Sequence, residues 1–494
     1  MVLTLAALAW WTLSGGSGPV APDRSVAVLP FEDLSPAGDQ GWFADGLAEE
    51  LISLLTRLPA LQVAARDSAF AFRDQRLDAV QIGERLKVAH VLSGSVRRMG
   101  DQVRVTAQLV DARAGYQVWS ETYDRTLEDI FAIQDQIAGE VTAQLSVRLL
   151  GGAPRVRETE PEAYTRYLQA RHIGRQNTAE GLEQAVALFR EALAIDPAYP
   201  PAWTDLATIY FNRVGFALMP REEGYRLARE AAYRALAVDP DFAPAHDRLG
   251  WLALHEDDDL EAAARHYRRA LALAPYDDRI RGNAAVLAVA LGRLDEAIAL
   301  LEASAVFDPV SPISHANLAN AYLLAGRYRA GERSIRSALA LSPQYAGAHY
   351  RLGRLLLAQG DVEGARGAFE AETLDAGRQL GRALIANVEG DLAASDAALA
   401  EIEAAFGDRA AGNYAQVYAH RGDLDAAFEW LAVEYRTSAV SGFLEHRWDP
   451  IFEPLRGDRR WSALMQRIGF DDDRLAAIDF PATEALAWRD LPPG

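Results

Sequence analysis

Few side chains in this 494-residue chain have the types and spacing of a reactive site. The densest run of potential metal ligands is His255-Glu256-Asp257-Asp258-Asp259. A zinc-protease helix needs two histidines four residues apart, and a calcium loop needs a glycine at its sharp turn; this run has neither. It falls where a short turn between paired helices is expected, so a solvated acidic turn is the better reading. His90, Ser93 and Ser95 offer a base and a nucleophile on one strand. His90 and Ser93 differ in parity, however, and would face opposite ways. Asp45-Gly46, at the start of a helix, could cradle a small polar ligand against free backbone N–H groups. Asp45 would repel an anion there, and an acid beside the positive end of a helix needs no ligand to explain it.

The absences narrow the chemistry further. Without cysteine there is no disulfide, thiolate nucleophile, zinc ribbon or iron–sulfur cluster. Of the 50 basic residues only Lys87 is a lysine, and it lies between Leu86 and Val88, so there is no Gly-Lys-Ser/Thr phosphate loop. A formal charge of −20 disfavours non-specific binding to nucleic acid, which needs a basic face. No catalytic residue, metal or cofactor is expected.

The chain begins with an apolar run, MVLTLAALAWWTL (1–13), followed by a Gly/Ser/Pro linker. A spanning helix needs about 20 apolar residues, and a signal peptide begins with basic residues. The expectation for 1–24 is the exit half of a membrane helix, with an atypical signal sequence as the alternative. The body would then sit in the periplasm, anchored to the inner membrane; the other possibility is the cytoplasm.

Residues 25–150 predict a small α/β domain of order βαβαβββα. SVAVLPF (25–31) is a buried strand, LQVAAR (61–66) a second and HVLSGSVRR (90–98) a third. Gly100-Asp101 turns a hairpin, and Val103, Val105, Ala107 and Leu109 alternate with polar residues on the next strand. Leu47, Leu51, Leu54 and Leu58 stripe the first helix, with Glu49 and Glu50 on its far side. Thr126 and Asp129 suggest a capping box opening the last helix, whose stripe is Ile130, Ile137, Val141, Leu145 and Leu149.

Three stretches here, AVLPFEDLSPAGDQGWFADGLAEEL (27–51), LSGSVRRMGDQVRVTAQLVDARAGYQVWSETYDR (92–125) and LEDIFAIQDQIA (127–138), resemble the TolB-like amino-terminal domain of bacterial signalling proteins. In that family the domain usually precedes tetratricopeptide repeats. The pair often sits behind a membrane helix and a cytoplasmic output domain, such as a winged-helix DNA binder or a nucleotide cyclase. The resemblance covers no output domain, so neither DNA binding nor cyclase activity is carried over. It implies an extracytoplasmic or accessory module.

Residues 155–435 predict an all-α tetratricopeptide superhelix. Pro197, Pro240, Pro275, Pro309 and Pro343 close helices at spacings of 43, 35, 34 and 34, and a 34-residue period is the signature of that repeat. The excess in the first interval is placed in NRVGFALMPREEG (212–224). About seven units are expected, closed by a cap at 436–470, with 471–494 as a tail. Aligning to the prolines puts Thr208, Phe211, Asp247, Trp251, Asn320, Tyr350 and Arg354 on the groove lined by the first helices, a mixed aromatic and polar surface suited to an extended peptide. The repeats contain no lysine, so a lysine clamp for a carboxylate is excluded. The expected function is a non-enzymatic, membrane-tethered scaffold binding a protein or peptide in this groove. The alternative is a sensory domain whose α/β part binds a small ligand.

Overall fold

The computed structural model of the protein describes residues 24–58, 61–73, 75–145, 158–437 and 443–480. The apolar run Met1–Leu13, Leu149 and the last fourteen residues lie outside them. The small N-terminal α/β region comes first, followed by a long helical superhelix.

In the α/β region, β1 (Ser25–Val28) lies beside β3 (Gln62–Val63) and β4 (His90–Met99), parallel to both. β5 (Gln102–Asp111) and β6 (Tyr116–Thr126) extend the sheet antiparallel, giving the order β3-β1-β4-β5-β6. A two-residue β2 (Glu32–Asp33) adds to β4. All four β1 residues are buried, as a strand between two others should be. Gly100 takes φ +62°, which the two-residue hairpin requires. The second strand is shorter than expected, two residues rather than six, because it pairs only along Ser25 and Val26. Thr126 does not cap the last helix. Its Oγ1 donates to Asp129 Oδ2 at 3.0 Å, and a short 3₁₀ turn, Leu127–Asp129, precedes the helix Ile130–Gln144. Leu47, Leu51 and Leu54 on the helix Gly41–Thr56, and Leu58 just past its end, pack with Ile130, Ile137, Val141 and Leu145 in one core.

Eight helix pairs follow among the described residues. They are Pro161–Gly174 with Ala179–Ile195 (repeat 1), Pro200–Gly215 with Arg221–Val238 (repeat 2), and Ala243–His255 with Leu260–Leu273 (repeat 3). Next come Asp278–Ala290 with Leu294–Phe307 (repeat 4), Pro312–Leu324 with Tyr328–Leu341 (repeat 5), and Ala348–Ala358 with Val362–Glu370 (repeat 6). Asp375–Glu389 with Leu392–Phe406 and Ala411–Arg421 with Leu424–Thr437 complete the array. The excess in repeat 2 is not one long loop. Both helices are lengthened, to 16 and 18 residues, and only 216–220 lie between them.

At four of the repeat junctions one device ties the proline stop to the next helix. Six residues after the proline, a ring N–H donates to the proline carbonyl: Trp203 to Pro197 at 2.9 Å, His246 to Pro240 at 2.9 Å, His315 to Pro309 at 3.0 Å and His349 to Pro343 at 3.2 Å. A carbonyl only accepts, so each of these histidines carries its proton on Nε2. The carbonyls at a helix end lack intrahelical donors, and this ring supplies one.

The terminal segment does more than cover repeat 8. Residues 443–480 fold back along the array as far as repeat 3. Arg354 of repeat 6 holds Asp449, Arg293 of repeat 4 donates to the carbonyls of Ile478 and Phe480, and Arg474 pairs with Glu261 of repeat 3. Leu475, Ile478 and Phe480, in what reads from sequence as a tail, are buried in the core of repeats 3, 4 and 8. The reason is a run of large apolar residues, Phe443, Phe452, Trp461, Phe470 and Phe480, that must be covered. Gly292, at φ +74°, lets Trp448 lie against the repeat 4 turn; a Cβ there would sit 2.3 Å from the indole. Gly292→Ala is therefore expected to lower stability by about 1–3 kcal/mol through overpacking and the strained φ, read as a lower urea midpoint.

Candidate partner-binding site

The α/β domain docks on repeat 1 through charges that the sequence places on a wet face. Glu49, expected on the solvent side of its helix, is buried. It takes Arg66 Nε at 2.9 Å, Arg171 Nη2 at 3.0 Å and Arg175. Arg171 also reaches Glu50 at 2.6 Å and Asp205 of repeat 2 at 3.2 Å. Burial pulls the Arg171 guanidinium down, but Tyr167, Asp205 and Glu50 around it outweigh that and hold it charged, above its ordinary value. Asp45 pairs with Arg73, and Gly46 is the contact point for Leu168, where a Cβ would meet the side chain at 2.6 Å. Asp45 and Gly46 line a pocket of about 210 Å³ with Trp42, Arg66 and Arg171.

On the inner face of repeats 2 to 4 a polar cluster and an aromatic cluster share the same helices. Asp247 is fully buried; Asn283 donates to it at 2.8 Å and Arg279 lies 3.3 Å from its other oxygen. Arg248 donates to Thr208 Oγ1 at 3.1 Å and lies 5.4 Å over the Phe211 ring. One helical turn further on, Trp251 meets Phe211 edge-on with centroids 4.1 Å apart and stacks on His255 at 4.2 Å. Burial pushes the His255 ring below its ordinary pKa, which keeps it a neutral stacking partner. Thr208, Phe211, Asp247 and Trp251 thus form one constellation.

Asn320, Tyr350 and Arg354 do not line an open groove. Asn320 Nδ2 donates to Glu445 at 3.0 Å, Tyr350 OH to Gln416 at 3.3 Å, and Arg354 makes a two-pronged contact with Asp449 at 2.9 and 2.6 Å. Two of the three are held by the terminal segment, whose return path a proline-based alignment does not reveal.

What stays open is a cleft of about 1590 Å³ between the α/β domain and repeats 1 to 5. Arg57 and Arg85 line it on the domain side, and Asp239, Asp241 and Asp277 on the array side. Arg279, Asn283 and Asn317 form part of its wall. The cleft is larger than an ordinary small-molecule pocket. The sequence signal that could have found it is the pair of asparagines, Asn283 and Asn317, each eight residues after a proline stop.

The other candidates have structural employment. Glu256 pairs with Arg221, Asp257 with Arg229, and Asp259 accepts from Ala262 N at 2.8 Å as a helix cap. Ser93 Oγ accepts from Gln108 at 3.0 Å, while His90 Nδ1 lies 3.3 Å from the Ser25 carbonyl. Neither set converges on a shared point. Among the described residues no group of three or more acidic, histidine or cysteine side chains could hold a metal. No helix of the described residues is long and apolar enough to cross a membrane.

Comparison with known proteins agrees with the architecture. Residues 254–320 and 316–380 match two tetratricopeptide repeat families. Residues 22–140 match the second domain of HilA/YgeH-like transcriptional regulators. A "Putative adenylate cyclase 3" of Rhizobium meliloti (strain 1021) is 38% identical over 189 residues, 37% of this chain and 32% of that protein. The match therefore spans about a third of the relative's length. Among solved structures, Pseudomonas aeruginosa pilF aligns at 20% identity over 43% of this chain and 93% of its own, with a TM-score of 0.35. Human IFIT1 in a dimer with m7Gppp-AAAA aligns at 16% identity over 70% and 78%, with a TM-score of 0.42. The chain carries tetratricopeptide repeats, stacked as a superhelix behind a small α/β region.

Proposed function

We propose that the protein is a non-enzymatic interaction module of a bacterial signalling system, which holds a peptide segment of a partner protein in the cleft between its α/β domain and repeats 1 to 5. The observation that carries this reading is the cleft itself. It is peptide-sized, it is walled by amide and guanidinium groups, and Asn283 on its wall donates to Asp247 of the same helix that carries Trp251. Extended peptides are held by such a combination of backbone-bonding amides and aromatic anchors. The signalling context is supported by the printed names of the similar proteins, a transcriptional regulator and a putative adenylate cyclase, and by the TolB-like motifs quoted above. Partner capture from envelope extract by the full chain tests it. Trp251→Ala, or the surface change Asn317→Arg, is expected to weaken capture at least tenfold. Capture that neither change affects would contradict the reading.

The envelope location rests on Met1–Leu13. Membrane fractionation of the chain with and without those residues tests it: sedimentation with membranes that depends on them supports the location, and independence from them removes it.

A second reading has its own observation, the 210 Å³ pocket that Asp45 and Gly46 share with Arg66 and Arg171. It makes the α/β domain a sensor for a small polar ligand. A thermal-shift screen of metabolites on the full chain should then find one whose stabilisation disappears in Asp45→Ala; a screen with no such compound would sink it.

A further inference from the structure

Two contacts between the α/β domain and the array lie far apart along the superhelix. At repeat 1 the domain is rooted: Leu168 fills the space over Gly46, Phe131 meets Tyr164 edge-on at 4.8 Å, and Gln134 donates to Tyr164 OH at 2.7 Å in a common core. The second contact lies three repeats away, at the turn between repeats 4 and 5. There Ser68 Oγ donates to the buried Asp308 Oδ1, and Val310 packs on the satellite core that includes Ala64, Phe72, Ile82 and Leu86. The cleft of about 1590 Å³ lies between the two contacts and is lined by Ser68, Asp308 and Val310 at that end.

A repeat array is soft over this distance. The terminal segment braces the array only as far back as repeat 3, so the separation of repeat 1 from repeat 4 still accumulates small rotations between neighbouring repeats. Ser68 and Asp308, 240 residues apart, bridge that separation directly. We propose that the α/β domain is a strut across the superhelix and that the Ser68–Asp308 contact, with Val310, is a releasable latch that sets the width of the partner cleft. This rests on the cleft being the binding site and adds how access to it is regulated.

The latch is built to respond to protons. Asp308 is pushed up to about 6, chiefly by burial, with the carboxylates of Asp278 and Asp67 adding to it and the Ser68 hydroxyl and Val310 N–H opposing it. On the array side Asp278 is itself held by Ser314 and faces Arg281; on the domain side Asp67 is paired with Arg66. The sign follows from where the proton sits. The closed state holds a neutral carboxyl up to about pH 6, whereas an opened, hydrated Asp308 ionises near 3.8. Closure is therefore favoured in acid and lost as the pH rises through 6. The closed-to-open ratio should fall about tenfold between pH 5 and pH 7.5.

The native chain has no cysteine, so Arg57→Cys and Ile313→Cys on opposite walls can carry nitroxides without background labelling. Double electron–electron resonance on the full chain should show a short distance that dominates at pH 5 and yields to a longer one at pH 7.5. Asp308→Asn, which stays neutral, should keep the short distance at both; Asp308→Arg should give the longer one at both. If Asp308→Arg does not fold, the comparison of the labelled parent with Asp308→Asn decides. One unchanged distance distribution in the parent at both pH values overturns the latch. Partner capture sensitive to Trp251→Ala alongside that unchanged distribution would leave the binding reading standing and remove only the latch.

Discussion

Arg354→Ala is expected to cost about 3–5 kcal/mol and to free the terminal segment from the groove. Arg354 and Asp449 are both nearly buried and meet through two parallel contacts at 2.9 and 2.6 Å. Removing one partner of such a pair strands the other charge away from water, which is the costly way to break it. Asp449 also accepts from Ile451 N at 2.9 Å, so its side chain sets the turn that follows. Burial works against its charge, but Arg354 more than compensates and holds the carboxyl below its ordinary value. For a carboxylate with a lowered folded value, the stabilisation is present above its unfolded value and is lost only as the pH falls through the folded one. Urea unfolding at neutral pH should show the loss, with a tryptophan fluorescence red shift as Trp448 and Trp461 become wet. A change below 1 kcal/mol would mean that the pair behaves like an exposed ion pair.

Glu49→Ala is the second large effect, with an expected loss of about 3 kcal/mol. One carboxylate faces three guanidinium groups, those of Arg66, Arg171 and Arg175, and Glu49 is itself almost fully buried. The value sits at the low end for a buried pair because Arg66 and Arg175 are about a third exposed. Arg171 keeps Glu50 and Asp205, so the array itself stays intact. The loss should appear as an early transition of residues 25–145 in hydrogen exchange, ahead of the repeats. Glu49→Gln keeps the shape and part of the hydrogen bonding and should lose less. A single unshifted transition in Glu49→Ala would contradict the docking role.

These two clusters also show what the sequence could and could not tell. Local order was legible. The proline period, the leucine stripe of Leu47 to Leu58 and the Gly100-Asp101 hairpin each concern residues a few positions or one repeat apart. The fold class follows from them. Glu49 reads as solvent-facing because its helix has one apolar stripe; only the arrival of Arg171, 122 positions later, buries it. Asn320 and Arg354 sit on first helices as the alignment expects, yet what lies against them comes from Glu445 and Asp449. Thr208, Phe211, Asp247 and Trp251 come together because neighbouring repeats lay their first helices side by side, one turn out of step, which periodicity does report. The cleft depends on where the α/β domain leans, and no spacing within either part carries that information.

A partner seated in the cleft would lie within reach of its wall residues. The most direct measurement is photo-crosslinking in the native cell from a photoreactive residue at Asn317, exposed in the cleft, and in parallel from one at Arg382, outside it. A discrete protein adduct is expected from position 317, lost when Trp251→Ala is added, and none from position 382. Adducts from position 382 with none from 317 would contradict a partner seated in the cleft.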